Sequence, residues 1–336
     1  MFDTYKEEAQ FALQAVREAA MLCRQIQSEM VIYSITKSDQ SPVTVADFAS
    51  QALLGQRLKE RFPGDRLVAE EESQTLRDDD DGETLGKVTG YIQRVSPQAD
   101  SEQICTWIDY GTGEAGGRFW TYDPIDGTKG FLRGDQYVSA LALIEDGVVV
   151  VGALGCPNLN LKMQPEIGGA GSAVLAVRGE GCFGFGMRRD DPAPMVVSPQ
   201  DQPQRARLLR SFESGHTHEG KMAELVDILG TTVDPVLMDS QAKYAVMAAG
   251  GGELLFRLLS PDRPDYEEKI WDQAAGSLIV EEAGGRVSDL RGEALDFDQG
   301  RTLRENVGVL ASNSRLHEIA LEALRTVGAD RRPERL

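Results

Sequence analysis

The segment Asp123-Pro-Ile-Asp-Gly-Thr-Lys-Gly-Phe131 places two carboxylates three residues apart across a turn. Because proline pushes the residue before it towards extended geometry, we expect Asp123 to end a strand. Gly127 allows a sharp turn close to a ligand, and Thr128 adds a hydroxyl group and a free N–H. Two hard oxygen donors beside free N–H groups are what a magnesium ion holding a phosphate requires. For an isolated motif of this kind, a plain Asx-rich turn is the preferred interpretation. Whether it is instead a metal site depends on the other acidic residues of the chain.

The charge balance limits the partners that this chain can bind. Its 336 residues are enough for two domains, and 54 acidic against 35 basic residues give a net charge of −19. We therefore expect no nucleic acid polymer as partner, although a small anionic substrate held by metals and a few local cations remains compatible. Four widely spaced cysteines predict reduced thiols, and neither a secretory signal nor a membrane-spanning apolar run is visible. A cytoplasmic protein with no membrane partner is the expectation.

Apolar periodicity predicts the main helices and strands. Helical patterns cover residues 5–30, 45–62, 218–229, 241–249, 272–283 and 315–327. Strand patterns in the first half cover residues 66–69, 104–108, 119–122, 138–144, 148–154 and 173–177, with a hairpin turn at 145–147. In the second half they cover residues 207–211, 235–239, 254–258, 286–289 and 307–311. Residues 41–44 are expected to be extended, and 77–117 to form an irregular acidic surface loop.

The two halves differ in pattern, which predicts two domains. The strand-rich first half predicts an antiparallel sheet, whereas strands and helices alternate in the second half and predict a smaller α/β layer. Prolines and polar residues cluster at 195–205, so we place the boundary there. Residues 1–200 are thus predicted to form an α+β domain, and residues 201–336 an α/β domain.

Three further acidic positions accompany the Asp123–Asp126 pair. Glu70 follows a strand, Asp272 precedes a helix, and Asp47 lies at the start of another helix. Taken singly, they are better interpreted as a solvated loop acid and two helix caps. Their meaning changes only if the fold brings them to one place.

Convergence of Glu70, Asp123, Asp126 and Asp272 would gather four negative charges in one cleft, which would repel each other strongly without cations. Two divalent ions would remove that repulsion and leave positions open for phosphate oxygens and water. Ligands that offer only oxygen select magnesium or manganese over zinc. Such a pair of ions supports hydrolysis of a phosphate ester.

Four motifs in this order and spacing resemble the lithium-sensitive, magnesium-dependent phosphatase superfamily of inositol monophosphatase and fructose-1,6-bisphosphatase. They are Ser41-Pro-Val-Thr-Val-Ala-Asp47, Leu67-Val-Ala-Glu-Glu71, Asp123–Gly130 and Trp271-Asp272, and the likeness is weakest at residues 74–118. The resemblance implies a layered α/β/α/β/α sandwich with an antiparallel first sheet and a smaller mixed second sheet. It also implies two or more Mg²⁺ ions, with Mn²⁺ as a possible substitute. The implied metal ligands are Glu70, Asp123, the carbonyl of Ile125, Asp126 and Asp272.

Within that superfamily the chain most resembles the 3'(2'),5'-bisphosphate nucleotidases. This likeness lies in Lys129–Gln136, Glu213–His216, Asp239–Tyr244 and Tyr266–Asp272. It implies hydrolysis of the 3'-phosphate of adenosine 3',5'-bisphosphate, and perhaps of its sulfated precursor, in the cleft between the two domains. The first domain would carry most metal ligands, and the second would carry the last ligand and the nucleotide-binding residues.

The same resemblance implies roles for individual residues. Asp47 and Thr128 would orient and deprotonate the attacking water, and the N–H groups of Gly127 and Thr128 would hold the phosphate. Contacts to the nucleoside and its 5'-phosphate would come from His216, Ser240, Lys243 and Arg257.

Several alternatives stay open at this point. Lys243 could be an ordinary surface lysine, and the partner of a buried Arg257 could be a structural carboxylate instead of substrate. The alternative activity is that of an inositol (poly)phosphate phosphatase, and the alternative of another class is a catalytically silent nucleotide-binding sensor. The protein could be a monomer or a homodimer.

Overall fold

The computed structural model describes residues 2–30, 41–79, 82–212 and 219–333. The helices in these ranges are α1 Lys6–Met30, α2 Ser41–Arg61, α3 Gln74–Arg77, α4 Glu83–Ile92, α5 Ser101–Asp109, α6 Thr128–Arg133, α7 Glu219–Leu229, α8 Ala242–Ala248, α9 Ala274–Glu282 and α10 His317–Thr326. The strands are β1 Arg66–Ala69, β2 Arg118–Asp126, β3 Val138–Glu145, β4 Val148–Cys156, β5 Ser172–Val177, β6 Gly181–Gly186, β7 Arg189–Pro194, β8 Leu208–Arg210, β9 Val236–Leu237, β10 Leu254–Arg257, β11 Arg286–Ser288 and β12 Val309–Ser312.

The first sheet has seven strands in the order of the chain, β1 to β7. Strands β2 to β7 pair antiparallel, as predicted, and β1 is the exception because it pairs parallel to β2. The predicted turn between β3 and β4 is confirmed: Asp146 and Gly147 have φ values of 48° and 77°. Two successive positive φ values match the right-handed twist of a two-residue hairpin.

The second sheet has five strands in the order β11-β12-β10-β8-β9. Strand β12 pairs antiparallel with both of its neighbours, whereas β8 pairs parallel with β10 and with β9. The mixed character of this smaller sheet is therefore confirmed.

Helices and sheets alternate in layers, which confirms the predicted α/β/α/β/α sandwich. Helix α1 packs on β3, β4 and β5 of the first sheet and on α2. Helices α8 and α9 pack against each other, and α9 contacts both the first sheet and strands β11 and β12 of the second. Helix α10 packs on β12 and on α7. The largest apolar cluster of buried residues includes Leu154 of β4, Leu278 of α9 and Val309 of β12, so the middle layer joins the two sheets.

The prediction of an irregular loop at residues 77–117 is wrong, and so is the predicted strand at 104–108. Helices α4 and α5 lie in this range. Asp100 accepts a hydrogen bond from the N–H of Gln103, and the Gln103 side chain accepts one from the N–H of Asp100, so a capping box starts α5. Ile104 and Ile108 are one helical turn apart and both buried. Such a short apolar run is compatible with a strand or with a buried helix, and the capping box favours the helix.

Two smaller predictions also need correction. Residues 41–44 are not extended, because α2 already begins at Ser41. Strands β6 and β7 escaped sequence analysis: Gly181-Cys-Phe-Gly-Phe-Gly186 is rich in a residue that strands disfavour, and β7 is an exposed edge strand with two prolines. The predicted domain boundary at residue 200 falls between β7 and β8 and stays a prediction. No helix within the described ranges has the length and apolar character to cross a membrane.

His317, the first residue of α10, is fully buried between two hydroxyl groups. Its Nε2 lies 2.9 Å from Ser288 Oγ and its Nδ1 lies 2.8 Å from Ser312 Oγ. Burial, assisted by Arg286, lowers the pKa of His317 from 6.5 to about 4. The folded protein therefore holds this imidazole neutral under conditions in which the unfolded chain protonates it.

We predict that His317→Gln flattens the pH dependence of stability between pH 7 and pH 4.5. The unfolded state binds a proton at pH values where the folded state does not, so wild-type stability is lost as pH falls from about 6.5 towards 4, by about 3 kcal/mol. Urea unfolding at several pH values measures this. Parallel curves for the two proteins would contradict the prediction.

Candidate active site

Two strands of the first sheet bring Glu70 and Asp123 to the same edge. Strands β1 and β2 run parallel with Ala69 opposite Tyr122, so Glu70, which follows β1, lies beside Asp123, the next residue of β2. The Glu70 N–H donates to the Tyr122 carbonyl at 3.3 Å, and the Glu70 and Asp123 carboxyl groups are hydrogen-bonded to each other. Asp123 is buried, whereas Glu70 lies at the exposed rim.

A bulge in β2 turns the chain between the two aspartates. The ladder with β3 passes from Asp123 opposite Ala140 to Asp126 opposite Val138, so Pro124 and Ile125 lie outside regular pairing. Ser139 Oγ donates to the Pro124 carbonyl at 2.8 Å and fixes the turn from below. The backbone of Ile125 is thus free of the ladder at this edge.

Gly127 closes this turn against the second half of the chain. Its φ is +99°, and a Cβ at this position would lie 2.8 Å from Cβ of Ser240. Both the backbone conformation and the close approach therefore require glycine. Ser240 itself has a φ of 67° and lies directly against the Asp126–Gly127 turn. The predicted substrate residues Gly127 and Ser240 are thus brought together.

Gln241 links the turn to the segment before α9, and no sequence motif singles it out. Its N–H donates to Asp126 Oδ2 at 2.6 Å, and its side-chain amide donates to the Trp271 carbonyl at 2.9 Å. The Gly276 N–H donates to the same side chain at 3.0 Å. One glutamine therefore holds Asp126 beside the residues that flank Asp272.

The four predicted metal ligands are close enough to repel each other. Burial raises the pKa of Asp123 well above its usual range, and Glu70, Asp126 and Asp272 raise it further. Burial also raises the pKa values of Asp126 and Asp272, against the opposing influence of Arg257. The pKa of Glu70 is raised by the protein atoms around it and by Asp126. The fold therefore gathers four like charges that lie in three separate sequence motifs.

The donor chemistry of this cluster fits a hard divalent cation. The side chains offer only oxygen, and the buried Asp123 Oδ1 has no hydrogen-bond partner within the described ranges. No three His, Cys, Asp or Glu side chains in the described part of the chain are already grouped as the shell of one ion. Glu70 and Asp123 bond to each other and Asp272 faces Arg257, so sharing an ion requires these side chains to reorient.

Asp47 and Thr128 lie on two helices that pack together. Asp47 is a buried residue of α2, and Thr128 is the exposed first residue of α6. Burial raises the pKa of Asp47 well above its usual range, and the nearby carboxylates of Glu71 and Glu70 raise it further. The packing of α2 against α6 places Asp47 and Thr128 on neighbouring elements.

Two cations border the acids: Lys243 is buried and Arg257 is partly exposed. Lys243 Nζ lies 3.1 Å from Ser211 Oγ and 3.1 Å from the Met238 carbonyl, and burial lowers its pKa to about 8. The interpretation of Lys243 as a surface lysine is therefore wrong. Arg257 forms an ion pair with Glu268 at 2.8 Å and lies 3.8 Å from Asp272. Its partners in the structure are carboxylates of the protein. His216 lies outside the described residues.

Further groups at this edge were not selected from the sequence. Glu71 has a pKa raised to about 7 by burial and by Glu70. Arg301 lies over the Trp271 ring at 4.8 Å and interacts favourably with Glu70. Glu71 lies next to Glu70 in the motif Leu67–Glu71, so the sequence offered a signal for it. Arg301 lies in none of the motifs, and only the fold brings it to this edge.

The inositol monophosphatase family matches residues 4–329 of this chain. The chain belongs to this family. Among relatives, a 3'(2'),5'-bisphosphate nucleotidase of Schizosaccharomyces pombe is 42% identical over 344 residues, with 96% of each chain covered. One from Emericella nidulans, also named a 3'(2'),5'-bisphosphate nucleotidase, is 39% identical and covers 96% of this chain and 99% of its own length.

Solved structures of this family share the fold. An inositol monophosphatase from Zymomonas mobilis superposes with a TM-score of 0.65 at 19% identity, covering 96% of this chain and 100% of its own. At this identity the likeness establishes the layered architecture alone.

We predict that Asp123→Asn stabilises the protein when divalent cations are removed with EDTA at pH 8. The change keeps the shape but removes one of several mutually repelling charges, so the free energy of unfolding should rise by about 1 kcal/mol or more. Urea unfolding measures this.

Asp289→Asn is the matched control. Asp289 is equally buried, but it accepts N–H bonds from Arg291 at 2.8 Å, Glu293 at 3.0 Å and Val307 at 3.1 Å. Loss of that carboxylate should destabilise the protein. Destabilisation by both variants would contradict the repulsion argument.

Proposed function

We propose that this protein is a magnesium-dependent 3'(2'),5'-bisphosphate nucleotidase that hydrolyses the 3'-phosphate of adenosine 3',5'-bisphosphate. The observation that carries this proposal is that the two kinds of charge lie side by side. The acidic cluster, in which Asp123 Oδ1 has no hydrogen-bond partner among the described residues, borders the buried Lys243 and the partly exposed Arg257. Such a site suits a substrate with one phosphate at the metals and another anionic group nearby.

The proposed metal ligands are Glu70, Asp123, Asp126, Asp272 and the carbonyl of Ile125. Magnesium, when bound there, neutralises the acids and activates water towards a phosphate ester. Asp123 and Asp126 are positioned by the β2 bulge, and Gln241 orients the Asp126 carboxylate. Asp272 is the ligand that the second half of the chain would contribute.

Asp47 is the proposed base and Thr128 the group through which it reaches the attacking water. A buried carboxylate whose pKa is raised binds a proton more readily than an exposed one, which suits general base catalysis near neutral pH. The packing of α2 on α6 supports this pairing. The N–H groups of Gly127 and Thr128 are proposed to contact the phosphate that is cleaved.

Recognition of the rest of the substrate is assigned to Ser240, Lys243, Arg257 and His216. Ser240 packs on Gly127, so a group bound there lies next to the proposed metal site. Lys243 has a pKa of about 8 and is therefore mostly charged at pH 7. The names of the relatives favour a nucleotide substrate over an inositol phosphate, since the inositol monophosphatase neighbour is only 19% identical. Cytoplasmic location and monomer or homodimer state stay predictions.

A substrate panel tests the proposal. Phosphate release from adenosine 3',5'-bisphosphate, its sulfated precursor, inositol 1-phosphate and inositol 1,4-bisphosphate is measured with magnesium and with EDTA. We expect magnesium-dependent turnover with the highest kcat/KM for the adenosine substrates. A clear preference for an inositol phosphate would replace the proposal with inositol phosphatase activity. Nucleotide binding without any phosphate release would favour the sensor.

We predict that Lys243→Met raises KM for adenosine 3',5'-bisphosphate about tenfold or more and has a much smaller effect on KM for adenosine 3'-monophosphate. The lost cation would contact the 5'-phosphate, and charge-assisted contacts contribute about 1.5–3 kcal/mol. Steady-state kinetics on both substrates measure the difference. Equal increases in KM would assign Lys243 to support of Asp126 instead.

A further inference from the structure

Arg257 is shared unequally between two carboxylates. Its Nη2 atom lies 2.8 Å from Glu268 Oε2 and 3.8 Å from Asp272 Oδ2. The first distance is that of a hydrogen-bonded ion pair, and the second is beyond hydrogen-bond reach. Arg257 Nη2 is therefore hydrogen-bonded to Glu268, whereas its interaction with Asp272 is electrostatic only.

Glu268 is fixed in place by groups outside the acidic cluster. Its side chain is 5% exposed, and Oε2 also accepts a hydrogen bond from Gln273 Nε2 at 2.8 Å. The Tyr244 hydroxyl donates to the other end of the Gln273 amide. The Glu268 carbonyl accepts from the Leu303 N–H at 2.8 Å. Because its partners are buried, Glu268 cannot follow Arg257 if the arginine moves.

Arg257 has capacity for another partner. Its Nε is buried and has no hydrogen-bond partner in the part of the chain that the structure describes, although the side chain as a whole is 22% exposed. Without Glu268 the guanidinium would have a carboxylate, Asp272, within 3.8 Å as its nearest alternative. A cation paired there would compete with a metal ion for the same oxygens.

We propose that Glu268 is a positioning residue that draws Arg257 away from Asp272 and so keeps Asp272 available to a divalent cation. This inference rests on the proposed role of Asp272 as a metal ligand. Glu268 acts through Arg257, so its influence on metal affinity disappears when Arg257 is absent. Arg257 itself weakens metal binding in the absence of nucleotide.

Calorimetric titration of Mg²⁺ alone into the full-length protein, stripped of metal beforehand, tests this without any substrate. Glu268→Gln should lower Mg²⁺ affinity about tenfold, because Arg257 then pairs with Asp272. Arg257→Gln should raise the affinity severalfold. In the Arg257→Gln background, adding Glu268→Gln should change the affinity less than about twofold.

Glu253→Gln is the matched control. Glu253 is 1% exposed and forms an ion pair with Arg207 at 2.5 Å in the same half of the chain. It should destabilise the fold as much as Glu268→Gln does, yet leave Mg²⁺ affinity unchanged. Thermal unfolding of every variant shows that each is folded at the temperature of the titration.

The outcomes separate this inference from the proposed function. Unchanged Mg²⁺ affinity in Glu268→Gln overturns the inference alone. So does a tenfold loss that persists in the Arg257→Gln background, since Glu268 would then act directly through its own charge. Absence of Mg²⁺ binding to the wild-type protein overturns both the inference and the metal assignment on which the proposed function depends.

Discussion

Electrostatic repulsion among Glu70, Asp123, Asp126 and Asp272 is the constraint to which the surrounding structure responds. Parallel pairing of β1 with β2 brings the first two side by side at one edge of the sheet. Burying like charges opposes folding, and here Arg257, Lys243 and the Gln241 N–H lie where they offset part of that repulsion. The apolar core must supply the remainder. Buried like charges that destabilise the fold in this way are typical of functional sites.

A second consequence concerns the distribution of charge. The chain carries a net charge of −19, yet Lys243, Arg257, Lys269 and Arg301 all lie near the acidic cluster. An anionic substrate would meet repulsion over most of the surface, and it would find cations concentrated at one edge of the sheets. Lys269 Nζ lies over the ring of Trp271, 5.9 Å from its centroid. Because Trp271 precedes Asp272, this cation lies in the same segment as the proposed metal ligand.

Much of this arrangement was predictable from local sequence, and the rest was not. The Asp-Pro-Ile-Asp-Gly motif predicted the tight turn at Gly127, because glycine limits the backbone directly. The strand end predicted at Asp123 is wrong, since β2 continues through a bulge to Asp126. The long strands and the layered fold followed from periodicity and resemblance. At Ile104–Ile108 the apolar run was too short to separate helix from strand, and the capping side chains decided. Gln241 and Glu268 act through tertiary contacts alone, and neither their residue type nor their spacing distinguishes them from surface amides and acids.

Close packing around Gly276 limits which residues the chain can carry next to this site. A Cβ at this position would lie 2.2 Å from the Tyr244 ring, and the Gly276 N–H is bonded to Gln241. Tyr244 in turn contacts Gln273, the partner of Glu268. Even a methyl group, added in the interior far from solvent, would therefore displace both polar chains that hold the site. At this position of α9, packing alone therefore excludes every residue larger than glycine unless Tyr244 moves.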